Sequence, residues 1–103
     1  MARYTVRPRA WRDLNREADN LEERAGLETA ARFFDSALRT FAEMADMPKM
    51  GHRCDFRRAS LRRLRRWPVM GFENWAIFYL PKQDGIEVVN IYHGARDLDA
   101  LFS

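Results

Sequence analysis

The stretch from Gly71 to Phe102, GFENWAIFYLPKQDGIEVVNIYHGARDLDALF, decides the fold. Trp75, Ile77 and Tyr79 alternate with Ala76, Phe78 and Leu80, so both faces of this segment are apolar. An extended segment of that kind is a central strand covered on both sides. PKQDG follows as a hairpin loop, with Asp84-Gly85 supplying the turn chemistry. Ile86 to Tyr92 is then the returning strand. Simple alternation puts Val89 and Ile91 on one face with Glu87, and Ile86, Val88 and Tyr92 on the other with Asn90. The compact cluster His93-Gly94-Ala95-Arg96-Asp97 comes next, and Leu98, Leu101 and Phe102 suit a short closing helix or turn.

Upstream, Arg3 to Arg7 alternates as a short half-buried strand, with Tyr4 and Val6 on its inner side. Pro8 suits the first turn of a helix. Trp11, Leu14, Ala18, Leu21 and Ala25 then make one apolar stripe, with Asp13 placed among the polar residues around it. Gly26 ends that helix, as a residue free to turn left-handed does. A second helix carries Ala30, Phe34, Ala37, Leu38, Phe41 and Ala45 as its stripe and stops at Met47-Pro48. Two amphipathic helices joined by so short a turn form an antiparallel hairpin. Pro48 through Ser60 reads as loop, and a strand is expected from about Leu61 to Val69. The order β-α-α-β-β-β predicts an α+β fold, a helical hairpin on one face of a small antiparallel sheet, followed by a short tail helix.

The chain of 103 residues is expected to be one domain spanning 1–103, with one modest core. Its 47% hydrophobic and 13% aromatic content exclude disorder. A single cysteine, Cys54, rules out an intrachain disulfide and a cysteine zinc cluster. His52 and His93 are the two histidines and lack neighbouring donors in sequence, so no metal and no cofactor is expected. The basic N-terminus has no apolar run after it, and the longest apolar run is far too short to span a bilayer, which points to the cytoplasm and no membrane. The formal net charge is +3, but its distribution matters more. HRCDFRRASLRRLRRWP, from His52 to Pro68, holds seven arginines and one acid, Asp55. Arginine forks match carboxylates and phosphates, so this segment fits an acidic partner, either a peptide or nucleic acid.

The order, spacing and closing motif resemble the ParE toxins of the RelE/ParE superfamily of toxin–antitoxin modules. FENWAIFYL, GIEVVNIYHGARDLDALF, AWRDLNREADNLEERAG, AARFFDSALRTFAEMADMPKMG and LRRLRRWPV carry the likeness, which covers nearly the whole chain. The resemblance implies a growth inhibitor neutralised by a cognate antitoxin that carries a DNA-binding N-terminal part, the two forming a hetero-oligomer. ParE-type members imply DNA gyrase as the target, and RelE-type members imply ribosome-dependent cleavage of mRNA. Matched to the RelE pattern, an arginine of the third strand falls near Ala76 and a tail tyrosine near Phe102, while Arg96 matches the arginine after the last strand. Two of three expected groups are therefore missing, and the chain reads as a binding inhibitor. Its alternatives are a RelE-type endoribonuclease using His93, Arg96, Arg65 and Tyr92, or a non-toxic arginine-rich nucleic-acid-binding module. Target contact is expected from Arg96, Phe102 and His93. Antitoxin contact is expected from Arg62, Arg63, Arg65 and Arg66, beside apolar surfaces suited to a segment that folds on binding.

Overall fold

A computed structural model describes residues 2–54 and 62–94. Strand β1 (Arg3–Val6) leads into helix α1 (Pro8–Ala25) and helix α2 (Leu27–Asp46). Then come β2 (His52–Arg53), β3 (Arg65–Val69), β4 (Phe72–Lys82) and β5 (Gly85–His93). The spatial order in the sheet is β1-β5-β4-β3-β2. Pro8 opens α1 as expected, and Gly26 alone joins the helices at φ 94°, a value that a side chain rarely tolerates.

The sheet is mixed where an antiparallel one was expected. β1 runs parallel to β5, with Tyr4 opposite Ile86 and Val6 opposite Val88. Alternation within β1 reveals which residues face inward but not which strand lies beside it. β3, β4 and β5 are successively antiparallel, so β1 is the one strand of the described sheet that runs parallel to its neighbour. A second correction concerns the presumed loop. His52 and Arg53 pair with Arg66 and Arg65 as a two-residue edge strand, and Cys54 N–H extends that ladder to the Leu64 carbonyl at 2.9 Å. β3 accordingly starts at Arg65, after a turn at Arg62–Arg63. Pro68 is tolerated within it because it lies past the two residues that β2 covers. The β4–β5 loop shrinks to Gln83-Asp84, and Pro81 and Lys82 continue β4 beyond the end of β3.

A bulge changes the phase of β5. Phe78 pairs with Asn90 but Tyr79 pairs with Val88, so Val89 is the extra residue. Ile86, Val88 and Ile91 therefore share the helix-facing core with Val69, Trp75, Ile77 and Tyr79, while Val89 and Tyr92 face the other side with Phe78. This replaces the uninterrupted alternation read from sequence. Cys54 and Leu64 complete the second cluster, so β4 is indeed apolar on both faces.

Both helices are rotated from their expected stripes. On α1 the buried positions are Ala10, Asp13, Leu14, Glu17 and Leu21, and Trp11 is instead 38% exposed and stacks on Phe34. On α2, Phe33 is fully buried where Phe34 was expected to be, and Thr40 and Met44 join Ala37 and Phe41 inside. Full burial of a Phe contributes roughly 1.5–3 kcal/mol.

Candidate functional site

β1 ends at Val6, and Arg7 N–H makes the last bond of that edge, to the Val88 carbonyl at 3.0 Å. From Asn90 onward, β5 has no strand on that side among the described residues. Helix α1 fills the gap. The Asp13 carboxylate accepts the Ile91 N–H at 3.1 Å and the Arg16 guanidinium at 2.9 Å, and only 3% of Asp13 is exposed. One turn on, Glu17 accepts the Trp75 indole N–H at 2.9 Å. Arg16 also lies 3.6 Å from Glu17, so a single guanidinium serves both acids. Such pairing is what lets two carboxylates remain buried. Arg9 reaches the Tyr92 hydroxyl at 3.3 Å. The Asn90 amide, in the orientation that satisfies both its ends, accepts from Arg9 Nε at 3.2 Å and donates to the Val89 carbonyl at 3.3 Å.

His93 closes β5 opposite Trp75, and their rings lie 4.5 Å apart. Gly94 N–H then bonds the Asn74 carbonyl at 2.7 Å. The histidine thus sits at a structured corner, on a tryptophan that α1 holds in place. Arg65 lies elsewhere. It pairs with Tyr79, four residues along β4 from Trp75, or roughly 13 Å at the usual rise per residue. Its Nη1 donates to the Gly51 carbonyl at 2.7 Å and the Lys49 carbonyl at 3.1 Å. Tyr79 pins the same loop from within, its hydroxyl accepting the Gly51 N–H and donating to the Pro48 carbonyl, both at 2.8 Å. Burial, only partly offset by the Gly51 bond, pushes the Tyr79 phenol above its ordinary range. The Tyr92 ring packs in the cluster on the far face of the sheet, with its hydroxyl turned to Arg9 at the sheet edge. The acid/base candidates His93, Arg65 and Tyr92 therefore do not converge on one point. Arg96 and Phe102 lie outside the described residues.

Of the four arginines assigned to antitoxin contact, Arg62, Arg63 and Arg66 are exposed. Arg65 is half-buried and engaged with the chain itself, which sequence alone does not reveal. Arg53 and Lys49 add to the same basic edge, and His52 tilts against Trp67 at 5.9 Å. None of these arginines joins an ion pair with an acid among the described residues. Arg66 and Trp67 also line a cleft of about 400 Å³ that reaches Asn74 and Gly94. Cys54 beside it is buried, which raises its thiol above the usual range despite the nearby Arg66 guanidinium, so it is a poor nucleophile. No group of three or more His, Cys, Asp or Glu among the described residues is placed to hold a metal ion.

The sequence matches the family model described as ParE toxin of type II toxin-antitoxin system, parDE, over residues 4–98. The chain belongs to the ParE toxin family. The architecture agrees. A solved structure of the chromosomal ParDE toxin–antitoxin system from P. aeruginosa superposes with a TM-score of 0.70, covering 92% of this chain and 98% of that one. Identity between the two is 15%, so that likeness is one of fold. No curated protein sequence matches significantly. Against the ParE background, the buried Asp13, Glu17 and Trp75 group and the Tyr79–Arg65 clamp hold the frame, while Arg62, Arg63 and Arg66 stay exposed. No helix of the described residues is long and apolar enough to cross a membrane.

Proposed function

We propose that this ParE-family protein is the toxin of a type II module, working in the cytoplasm, neutralised by a cognate antitoxin and arresting growth by binding DNA gyrase. The observation that carries the binding mode is the scatter of the chemical groups. Proton transfer to and from an RNA 2′-hydroxyl needs an acid and a base within hydrogen-bond reach of the same substrate. His93 and Arg65 stand at different levels of the sheet, and the Tyr92 ring packs on the face opposite the helices. A surface that inhibits by contact needs no such convergence. Arg62, Arg63 and Arg66 are exposed and carry the charge that an acidic antitoxin segment would neutralise.

The test uses purified protein in two assays, with and without antitoxin. Gyrase supercoiling should be inhibited, the inhibition should be reversed by antitoxin, and mRNA should stay intact in a translating extract. Message cut only in the presence of ribosomes would replace this reading with the endoribonuclease one. Salt-sensitive DNA binding with neither effect would replace it with a nucleic-acid-binding module.

A further inference from the structure

A cleft of about 520 Å³ lies between α2 and the β3–β4 turn, lined by Arg32, Asp35, Ser36, Arg39, Gly71 and Phe72. It lies at the other end of β3 from the basic edge: Arg66 and Val69 are three positions apart on β3, roughly 10 Å, and Gly71 sits in the turn beyond. Its two walls are locked together. Met70 N–H donates to the Thr40 hydroxyl at 3.1 Å, and that hydroxyl donates to the Ser36 carbonyl at 2.7 Å. Phe72 is held edge-on to the buried Phe33, with ring centroids 5.4 Å apart. The rim, by contrast, is uncommitted. Arg39 has no hydrogen-bond or ion-pair partner among the described residues, and Arg32 has only a long 3.5 Å contact to the Thr29 hydroxyl. Asp35 stands four residues before Arg39 on the same helix, yet the two are not paired. Beside Gly71 the space is open, since a Cβ added there would meet nothing within 4 Å.

We propose that this cleft is a second docking site, taking an acidic segment of a partner protein that presents two carboxylates with a hydrogen-bond donor or cation between them. Arg32 and Arg39 are seven residues apart, about 10.5 Å along α2, and their forks suit carboxylates. The Asp35 carboxylate between them selects against a phosphodiester backbone, which would bring negative charge to all three positions. A peptide of alternating sign meets Arg32, Asp35 and Arg39 with opposite charge at each. The preformed walls mean that little of the cleft has to be ordered on binding.

The test is nitrogen-15 NMR on the full chain, following the backbone amide of Gly71 and the Nε–H groups of Arg32 and Arg39. The probe is a designed helical peptide with two Glu residues seven positions apart and a Lys between them. Saturable shifts of these resonances are expected, with binding about tenfold or more weaker for Arg32→Glu, Arg39→Glu, and for the same peptide with Gln in place of Glu. Arg62→Glu should leave the titration unchanged. Absence of saturable shifts at the cleft, shifts confined to the Arg62–Arg66 edge, or stronger shifts of the same resonances by a thymidine oligonucleotide would each overturn the proposal. The readout does not depend on toxicity, so it stands or falls separately from the gyrase reading.

Discussion

Replacing Tyr79 with Phe should loosen the 48–51 loop at a cost that can be worked from the geometry. Tyr79 is fully buried, and its hydroxyl bridges the Gly51 N–H and the Pro48 carbonyl. Removing it deletes two bonds and strands a buried N–H, a loss of about 2–3 kcal/mol. For a domain of this size that lowers Tm by about 8–24 °C. Gly51→Ala attacks the same contact from the other side. A Cβ there would run into the Tyr79 hydroxyl, stand 2.7 Å from its Cε1, and approach the Arg66 carbonyl to 2.8 Å. Overpacking of this kind costs about 1–3 kcal/mol. In the Tyr79→Phe background the hydroxyl is gone, so part of that clash is relieved. Urea unfolding of both single variants and the double should therefore show a favourable coupling of about 0.5 kcal/mol or more. Burial also raises the phenol's pKa. The native state accordingly loses stability as pH climbs past the free phenol's value of about 10, because only the unfolded chain ionises there, and the Phe variant lacks this loss. A Tyr79→Phe cost below about 0.5 kcal/mol, or strict additivity in the cycle, would refute the clamp.

Four further outcomes are expected. Asp13→Ala should cost about 2–3 kcal/mol and speed hydrogen exchange at the Ile91 amide far more than at the Arg7 amide, measured by native-state exchange. The hydrogen bond from Arg7 holds the Glu87 carboxylate below its ordinary pKa, so Glu87→Gln should be less stable than wild type at pH 7, with the difference fading as pH falls below about 4.5 toward the folded value; urea midpoints across that range check it. Arg62→Glu, Arg63→Glu and Arg66→Glu together should weaken antitoxin binding and flatten its salt dependence without lowering Tm, whereas adding Arg65→Glu should also destabilise the fold through the lost bonds to Lys49 and Gly51. Arg96→Ala should keep its melting temperature and antitoxin affinity yet lose growth arrest on induction, and a fully toxic, well-folded variant would remove this end of the chain from the target surface.

What the sequence reveals follows from which physical signals are local. Apolar period, Pro8 and Gly26 announce the helical hairpin, and the apolar faces of β4 announce a central strand. Asp13 and Glu17 escape because their burial depends on an Ile91 amide and a Trp75 indole more than fifty residues away, and no window along the helix registers those partners. Thr40 is missed for the same reason, since its hydroxyl is satisfied by Met70 and Ser36. The Val89 bulge shifts the phase of β5 with no glycine to mark it, although the adjacent apolar pair Val88-Val89 departs from strict alternation and hints at the break. β2 consists of two polar residues whose only strand signal is their partner. Arg65 differs from Arg66 by one position, and the two-residue period of β3 sends one inward to the loop and the other out to solvent.

The parallel pairing of β1 with β5 has a consequence in time. Arg3 is held opposite Gly85 and Val6 opposite Val88, so among the described strands the earliest is joined only to the latest. During synthesis at roughly 5–20 residues per second, β1 waits several seconds with its edge unmatched while the helical hairpin forms behind it. Completion of the sheet is therefore a report that synthesis has passed β5. A chain broken off before β5 has helices but no seat for β1, and this sheet cannot be completed from a truncated transcript.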